Sequence, residues 1–591
     1  MKYPYLAELP TSRELIDVFR GYNHNLRIGE GEFYEMTNMS SDNYPLLSPR
    51  AQRGRYATLT QSQGILAKDS ICYVDNGDFI IGSDRVHMGL GLERDSNNKT
   101  IPKTLISMGA YVIIMPDKKY INTVPKVEDG NNIYEHGPID AVAVTTSTVT
   151  FTLCKIDGAA YDNVSIQATA PSSPQNMDLW LDTSTVPNSL KQYSKASDQW
   201  ATVATTYIKI SATGIGHPFN EGDGVRISGI TSEALQDLNS SMVIWAKGDN
   251  YIVVTGILDE VTTQETSIKV ERRMPNMDFI IESENRLWGC RYGESINGEM
   301  VNEIYASKLG DFKNWECYSG ISTDSYYASV GTDGPFTGAI THLGYPLFFK
   351  ENCVHKVYGN YPANYQIQTT SCRGVQRGCN RSLAIVNEVL YYKARGAVCA
   401  YDGSLPSEIS YALGDMTYGN AVAGVLGNKY YVSMQDTVGD YHLFVYDALK
   451  GMWHREDDTE VSAFCSFREN LYYIDRQDDQ IKTVKGNEET NPVRWSAVTG
   501  IIGTDSPDKK YISRIDVRMK LDVGARVSFF VEYDSCGEYE HLFTTPQSIS
   551  LRSFSVPIRP RRCDHMRLKI VGEGDAKIYS ICKTIEFGSE T

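Results

Sequence analysis

The chain carries one short pattern four times: Leu347-Phe348-Phe349-Lys350, Leu390-Tyr391-Tyr392-Lys393, Lys429-Tyr430-Tyr431-Val432 and Leu471-Tyr472-Tyr473-Ile474. The aromatic pairs begin at residues 348, 391, 430 and 472, so the steps are 43, 39 and 42 residues. A polar turn precedes each pattern, and a second turn leads into another β-rich run. Self-similarity at about 40–45 residues is typical of a β-propeller, in which each repeat is one four-stranded blade.

The same signature occurs earlier in the chain, at Ile71-Cys72-Tyr73, Ala110-Tyr111-Val112 and Arg286-Leu287-Trp288. Together the signatures predict an all-β fold with a β-propeller of six or seven blades, since one signature can belong to a ring-closing strand. We expect them on equivalent strands around a single axis. Blades are predicted over residues 66–139 and 276–488.

The segment before the first signature, residues 1–65, is rich in turn formers between short apolar runs. We predict an N-terminal arm that supplies the outer strand closing the propeller against its last blade, because closure removes exposed strand edges. Helical periodicity is confined to the first twenty residues and to 232–238. Residues 489–591 alternate apolar and polar positions between turns, which predicts a C-terminal β-sandwich.

Between Tyr111 and Trp288 the chain is far longer than one blade step requires, by about 135 residues. A Thr/Val alternation at 142–153 opens this stretch, and later runs centre on Trp180 and Trp200. The pattern predicts an inserted all-β domain at 140–275, built as two small modules. Short strands rich in Trp and Tyr can also bind sugars by stacking, although structural packing is the commoner role.

The formal net charge of −16 argues against recognition of nucleic acid by a basic face. It is compatible with DNA passing an acidic wall that repels phosphates. No run approaches the roughly 18–20 apolar residues that span a bilayer. The N-terminus, Met1-Lys2-Tyr3-Pro4-Tyr5, has no apolar segment of a secretory signal, so we expect assembly in a bacterial host cytoplasm.

The twelve cysteines are scattered singly and form no close CxxC pair. We therefore expect reduced, metal-free thiols that pack as small hydrophobes. The alternative is a metal site formed by Cys353 and His355 with Cys372 and Cys379. No cofactor is expected.

No motif demands catalysis, since the sequence has no nucleophile elbow, phosphate loop or zinc helix. The acidic pairs Asp457-Asp458 and Asp478-Asp479 could serve a two-carboxylate glycosidase, but adjacent carboxylates in polar turns are more often solvated. We expect a protein that is not an enzyme. The densest basic cluster, Arg559 with Arg561 and Arg562, is a candidate interface for an acidic partner or nucleic acid. The alternative is a loop paired with nearby carboxylates.

Several stretches resemble propeller-type tail proteins of bacteriophages and prophages, particularly of gut Firmicutes prophages, and more loosely the tail nozzle of short-tailed phages. They include FRGYNHNLRIGEGEFYEMTNMSSDNYPLLSPR (19–50), NEIYASKLGDFKNW (302–315), VNEVLYYKARGAVCAYDG (386–403) and VPIRPRRCDHMRLKIVGEGDAKIYSI (556–581). The most specific elements end at Trp315 and at the Tyr401-Asp402-Gly403 turn. The resemblance spans nearly the whole chain apart from the insertion, and no catalytic residues carry over from it.

The resemblance implies a structural component of the virion tail, a nozzle or hub whose copies form a homo-oligomeric ring around the DNA exit channel. Sixfold symmetry is usual for short-tailed nozzles. The implied partners are other copies of the chain, adjacent tail or head–tail connector proteins, and genomic DNA that passes without sequence recognition. The acidic face would line the channel, and Arg559, Arg561 and Arg562 would lie at a subunit or tail-tier contact.

Two alternatives from other classes remain open. The first is a tail-tip adhesin whose inserted domain binds a host surface glycan. The second is a propeller glycan hydrolase or lyase, for which the repeated Ser-x-Asp-x-Gly-x-x-Trp box of sialidase-type propellers is missing.

Overall fold

The computed structural model describes residues 11–96, 98–257, 262–295, 298–504, 509–558 and 561–587. This part of the chain is nearly all β, with 55 strands and four short 3-10 helices (Glu233–Leu238, Pro362–Asn364, Asn380–Ser382 and Tyr411–Leu413). The helical periodicity expected near the N-terminus is wrong for residues 11–16, which form a strand. That strand pairs antiparallel with the last strand of the chain, so tertiary pairing overrides local propensity.

The N-terminal arm contains six strands: β1 (Thr11–Ile16), β2 (Gly21–Tyr22), β3 (Glu32–Thr37), β4 (Met39–Ser40), β5 (Ser48–Pro49) and β6 (Gly54–Thr58). The next ten strands are β7 (Ser62–Ala67), β8 (Ile71–Asp75), β9 (Asp78–Ile81), β10 (Asp84–His87), β11 (Thr104–Met108), β12 (Tyr111–Met115), β13 (Lys119–Asn122), β14 (Lys126–Glu128), β15 (Asn131–Ile133) and β16 (His136–Pro138).

The inserted segment contributes β17 (Ala141–Val144), β18 (Val149–Cys154), β19 (Val164–Gln167), β20 (Leu179–Asp182), β21 (Ser189–Ser194), β22 (Gln199–Thr202), β23 (Tyr207–Ser211), β24 (Gly224–Ser228), β25 (Ser241–Val243), β26 (Ala246–Gly248), β27 (Tyr251–Thr255), β28 (Thr262–Gln264) and β29 (Lys269–Arg272). One small sheet has the order β19-β20-β21-β22. Two others, β17-β29-β24-β25 and β26-β27-β23-β18-β28, share a core that includes Phe151, Ile210 and Val270.

The repeat region continues with β30 (Phe279–Ser283), β31 (Arg286–Glu294), β32 (Met300–Ala306), β33 (Tyr326–Ser329), β34 (Gly338–His342), β35 (Tyr345–Lys350), β36 (Cys353–Tyr358), β37 (Gln366–Ser371), β38 (Ala384–Val386), β39 (Val389–Ala394), β40 (Ala397–Tyr401), β41 (Ser407–Glu408), β42 (Tyr418–Leu426), β43 (Lys429–Asp436), β44 (Tyr441–Asp447), β45 (Met452–Arg455), β46 (Val461–Phe467), β47 (Asn470–Asp475) and β48 (Gln480–Thr483). The C-terminal strands are β49 (Arg494–Thr499), β50 (Lys510–Leu521), β51 (Arg526–Tyr533), β52 (Glu540–Thr544), β53 (Arg552–Val556), β54 (Met566–Glu573) and β55 (Ala576–Phe587).

Each repeat signature lies on the second strand, in chain order, of a run of four hydrogen-bonded strands. These runs are β7–β10, β11-β12-β13-β16, β30–β33, β34–β37, β38–β41, β42–β45 and β46-β47-β48-β6. The second strands are buried almost throughout, as in β39, where five of the six residues are buried. Burial on both faces explains why their sequences read as continuous apolar and aromatic runs rather than as alternations.

The chain divides into two compact units. Unit 1 comprises Met1–Lys103, Phe349–Val354 and Thr370–Thr591, and unit 2 comprises Thr104–Phe348 and His355–Thr369. The boundary falls inside β35, between Phe348 and Phe349, so it does not coincide with the edge of a sheet.

Within unit 1, successive sheets pack through the aromatic pairs. The Phe349 and Tyr392 rings lie 5.2 Å apart, and those of Tyr391 and Tyr430 lie 5.5 Å apart. The last sheet of the repeat packs against the first, since one core cluster joins Cys465, Ile474 and Ile481 to Leu59, Ile65 and Ile71. In unit 2, one core joins β11 and β12 to β30 and β31.

The N-terminal arm is divided between two places in unit 1. Its strand β6 pairs antiparallel with β48 and completes the sheet of the last repeat. Its strands β2 and β3 lie between β45 and β49 in a ten-stranded sheet, order β42-β43-β44-β45-β2-β3-β49-β54-β51-β52. A second C-terminal sheet has the order β1-β55-β50-β53. The C-terminal sheets therefore require the arm, which sequence periodicity assigned only to closure of the repeat.

Candidate functional site

The basic cluster singled out in the sequence lies in the loop before β54. Arg559 falls outside the described residues. The Arg561 guanidinium donates to Glu540 Oε1 at 2.7 Å and lies 5.1 Å from the centre of the Tyr533 ring. Arg562 is exposed. Arg561 is thus already paired within the chain, whereas Arg562 is available to a partner.

The two acidic pairs are held by cations and hydroxyls. Asp457 lies 2.7 Å from Arg53, and Asp458 pairs with Arg455. Although burial acts to raise it, the pKa of Asp457 is lowered by Arg53. Asp478 contacts Lys482 at 2.6 Å, and Asp479 accepts a hydrogen bond from the Ser62 hydroxyl. A carboxylate with a lowered pKa is a poor general acid, so Asp457 is suited to an ion pair rather than to glycoside cleavage.

The cysteines are free thiols, nine of them buried, with Cys372 and Cys582 half-buried and Cys536 exposed. Both ring nitrogens of His355 lie within hydrogen-bond distance of threonine hydroxyls, 2.9 Å from Thr332 and 2.8 Å from Thr369. No group of three or more potential metal ligands occurs in the described part of the chain.

A buried cluster of ions fixes the N-terminal arm just before β6. The Arg53 side chain, only 8% exposed, contacts Glu456 at 2.8 Å and Asp457 at 2.7 Å. Arg50 forms two hydrogen bonds with Glu489, at 3.0 and 2.8 Å. Burial opposes ionisation of Arg53, but Asp457 and then Glu456 outweigh it and raise the pKa of this guanidinium. We call Arg50, Arg53, Glu456, Asp457 and Glu489 the closure cluster.

A second set of charges surrounds a polar cavity of about 1060 Å³ in unit 1. Its walls come from the 95–102 segment, from 378–381 before β38, from β42 and the β43–β44 turn, and from residues 455–477. Three of its cations are paired with carboxylates. Arg476 contacts Asp95 at 2.8 Å, Lys99 contacts Glu460 at 2.7 Å, and Arg455 contacts Asp458.

The fourth cation of this cavity, Arg381, has a different environment. It lies on the short 3-10 helix Asn380–Ser382 and is half-buried. Its guanidinium donates to the main-chain carbonyls of Ser462, at 2.9 Å, and Pro102. Burial and, to a smaller degree, the nearby Arg476 charge lower the pKa of Arg381 to about 10. The group is therefore protonated at neutral pH and has no carboxylate partner among the described residues.

Unit 2 contains a smaller cleft of about 630 Å³. The insertion contributes Arg226, Ser241 and Arg273 to its wall, and the blade-type sheet β30–β33 with its following loop contributes Glu303, Tyr305, Tyr318 and Tyr327. The rings of Tyr318 and Tyr327 lie 5.8 Å apart and are 45% and 56% exposed. Exposed aromatic rings beside carboxylates and guanidinium groups are suited to binding a polar ring-shaped ligand.

Sequence reasoning missed the cavity and Arg381. The residues that meet there are separated by several hundred positions, so no local spacing connects them. One signal was present, because the stretch between Glu351 and Glu388 has no acidic residue although the chain is acidic overall. An arginine in the middle of that stretch has no local carboxylate to pair with.

No helix in the described ranges is long and apolar enough to cross a bilayer. No protein-family model matches the chain, and no curated protein matches its sequence. Solved structures with a similar fold include BamB from Moraxella catarrhalis, 9% identical with a TM-score of 0.33, covering 74% of this chain and 99% of that one. An exo-β-1,3-galactanase from Phanerochaete chrysosporium is 10% identical with a TM-score of 0.20, covering 51% and 94%. Trypanosoma rangeli sialidase is 8% identical with a TM-score of 0.17, covering 84% and 94%. Similarity at this level does not indicate function.

Proposed function

We propose that the chain is a structural component of a bacteriophage tail, one subunit of a homo-oligomeric ring, with sixfold symmetry, around the DNA exit channel. In this proposal the seven four-stranded runs are the blades of one β-propeller. The sequence resemblance to propeller-type tail proteins motivates the assignment. The regular position of the seven signatures and the packing of the last sheet on the first support the propeller.

One observation carries the structural role: both ends of the chain are fixed into the body of unit 1. The strand β1 pairs with β55 over Thr11↔Glu586 to Ile16↔Ile581, and β6 completes the last sheet. The arm is further held by the closure cluster, whose charges are satisfied within the chain. A subunit exposed to the force of DNA ejection benefits from ends that cannot peel away from the sheet edges.

The charge distribution fits transient passage of DNA. The chain has a net charge of −16, and Arg53 and Arg561 are paired with carboxylates. Cations engaged in this way offer little to phosphates, so a duplex would not be held. The exposed Arg562 is the residue of the predicted interface that we assign to a contact with another subunit or tail tier.

The test is the mass of the purified full chain in solution, measured by native mass spectrometry and by light scattering after size exclusion. We expect a closed oligomer, six copies in the simplest case, that binds no duplex DNA at physiological salt. The variant Arg562→Glu should weaken assembly, and the matched variant Arg395→Glu, at another exposed arginine, should not. A monomer at all concentrations, or salt-dependent DNA binding, would overturn the proposal.

A second function, glycan binding at the tail tip, is favoured by the unit 2 cleft with its exposed Tyr318 and Tyr327. Stacking on an aromatic face is a common way to bind a sugar ring. We expect Tyr327→Ala to abolish binding to host cell-wall polysaccharide if this function holds. The control is Tyr361→Ala, which removes a ring that is 43% exposed elsewhere in unit 2. Equal binding by both variants and the unmodified chain would exclude the cleft.

A further inference from the structure

We propose that the polar cavity of unit 1 is a binding site for an acidic sugar, with the Arg381 guanidinium as the partner of the sugar carboxylate. This inference does not depend on the tail assignment, and it concerns a different unit from the Tyr318–Tyr327 cleft. It follows from three features of the cavity wall.

The first feature is the unspent hydrogen-bonding capacity of Arg381. A guanidinium has five N–H donors, and the main-chain carbonyls of Ser462 and Pro102 accept from two of them. The planar fork is suited to bidentate binding of a carboxylate. Because Arg381 remains protonated at neutral pH, its charge is present without a counter-ion from the described residues.

The second feature is a set of neutral and acidic groups that can bind sugar hydroxyls. The exposed Asp440 carboxylate and the Tyr441 hydroxyl line the cavity, and neither side chain accepts or donates a hydrogen bond within the described part of the chain. Asn420 uses its amide N–H on Gln435 at 2.7 Å, which leaves its carbonyl oxygen to accept from a ligand hydroxyl. A bare inorganic anion would leave all three of these groups unused.

The third feature is the charge balance, which limits the ligand to few negative charges. Lys99, Arg455 and Arg476 are each paired with a carboxylate of the wall. A polyphosphate or nucleic acid would meet these carboxylates and be repelled. One carboxylate on an otherwise uncharged ring matches one unpaired guanidinium.

The experiment uses the full chain and titrates it with D-galacturonate, D-glucuronate and N-acetylneuraminate by isothermal calorimetry and saturation-transfer NMR. D-Galactose is the uncharged counterpart of the first sugar, and inorganic phosphate is the bare anion. We expect saturable binding of at least one acidic sugar, at least roughly tenfold tighter than galactose and phosphate, because a hydrogen-bonded charge pair is lost in each comparison.

In the folded variant Arg381→Gln, binding of that sugar should weaken by roughly tenfold or more. Arg377→Gln, which removes an exposed arginine four positions earlier that does not line the cavity, should bind as the unmodified chain does. Asp440→Asn and Tyr441→Phe keep the test decisive if Arg381→Gln does not fold, since each should weaken the sugar without affecting phosphate. Absence of saturable binding of all three acidic sugars, or phosphate binding as tightly as the sugar, would overturn the proposal.

Discussion

Two arginines of unit 1 show how the same side chain takes different roles. Arg53 in the closure cluster is 8% exposed and contacts carboxylates of Glu456 and Asp457. Arg381 at the polar cavity is half-buried and contacts only main-chain carbonyls. The pKa of Arg53 is raised by its carboxylates, in spite of burial, whereas burial and a second arginine lower the pKa of Arg381 to about 10.

The difference shows that burial of a charge does not by itself indicate function. A buried cation whose charge is fully balanced by its own chain locks that chain in place. A cation that lacks such a partner and lines a cavity retains part of its binding capacity. The following predictions test whether these two arginines behave in these two ways.

The largest effect is expected from Arg53→Met. The substitution leaves Glu456 and Asp457 buried without their cation, which should lower the free energy of unfolding by about 3–5 kcal/mol. Urea denaturation followed by tryptophan fluorescence measures it. The control Arg55→Met removes an exposed arginine two positions later and should change stability by less than about 0.5 kcal/mol. Similar losses in both variants would show that the closure cluster does not lock the arm.

A pH-dependent effect should come from His454, which is 5% exposed on β45 next to Trp453, the residue that pairs with Tyr22 of the arm. Burial, followed by the charge of Lys429, lowers the pKa of His454 to about 3. The unfolded chain binds this proton below a pH of about 6.5, and the folded chain does not until far lower pH. Its contribution to stability is therefore complete above pH 6.5 and is lost as the pH falls.

Between pH 6.5 and 4.5 this loss should amount to about 3 kcal/mol, at about 1.4 kcal/mol per pH unit. The variant His454→Gln should lose less stability than the unmodified chain over that interval, by about this amount. The control His136→Gln, at an exposed histidine, should follow the unmodified chain. Parallel pH profiles for His454→Gln and the unmodified chain would contradict the burial of a neutral imidazole under the arm.

A smaller effect is expected from Arg381→Gln in the absence of ligand. Only main-chain carbonyls lose a donor, and no buried carboxylate is left unpaired, so we expect a loss of about 1–2 kcal/mol. The same urea titration measures it. A loss as large as that of Arg53→Met would mean that Arg381 has a structural role equal to that of the closure cluster.

The smallest effect on stability is expected from Arg561→Gln. Its ion pair with Glu540 is more than half exposed at both side chains, and surface substitutions of this kind change stability by about 0.5 kcal/mol or less. A thermal melt of the isolated subunit checks this expectation. A large destabilisation would show that this loop is part of the core rather than a surface available for contact.

The repeat was visible in the sequence because its second strands are buried on both faces. Aromatic pairs such as Tyr391-Tyr392 cannot alternate between core and solvent, so they stand out at a fixed period. The strand at residues 11–16 was not visible, because its partner is β55 at the other end of the chain. Local periodicity carries no information on such a pairing, and the segment was wrongly assigned to a helix.

The candidate sites were harder to predict than the fold. Arg561 and Arg562 stood out as a local cluster, yet Arg561 pairs with Glu540 about twenty positions away. The polar cavity is assembled from segments near residues 99, 381, 440 and 476. Only the folded chain shows that three of its cations are paired and that Arg381 is not.

A cryo-EM reconstruction of the assembled tail, with each copy of the chain traced, tests the central claim most directly. The account predicts a closed ring of identical subunits, six in the simplest case, with the seven signature strands around one axis in each subunit. The acidic face should line the lumen, and the Arg561–Arg562 loop should lie at a contact between subunits or tail tiers. A monomer on the outer surface of the tail, or a lumen lined by arginines, would contradict the account.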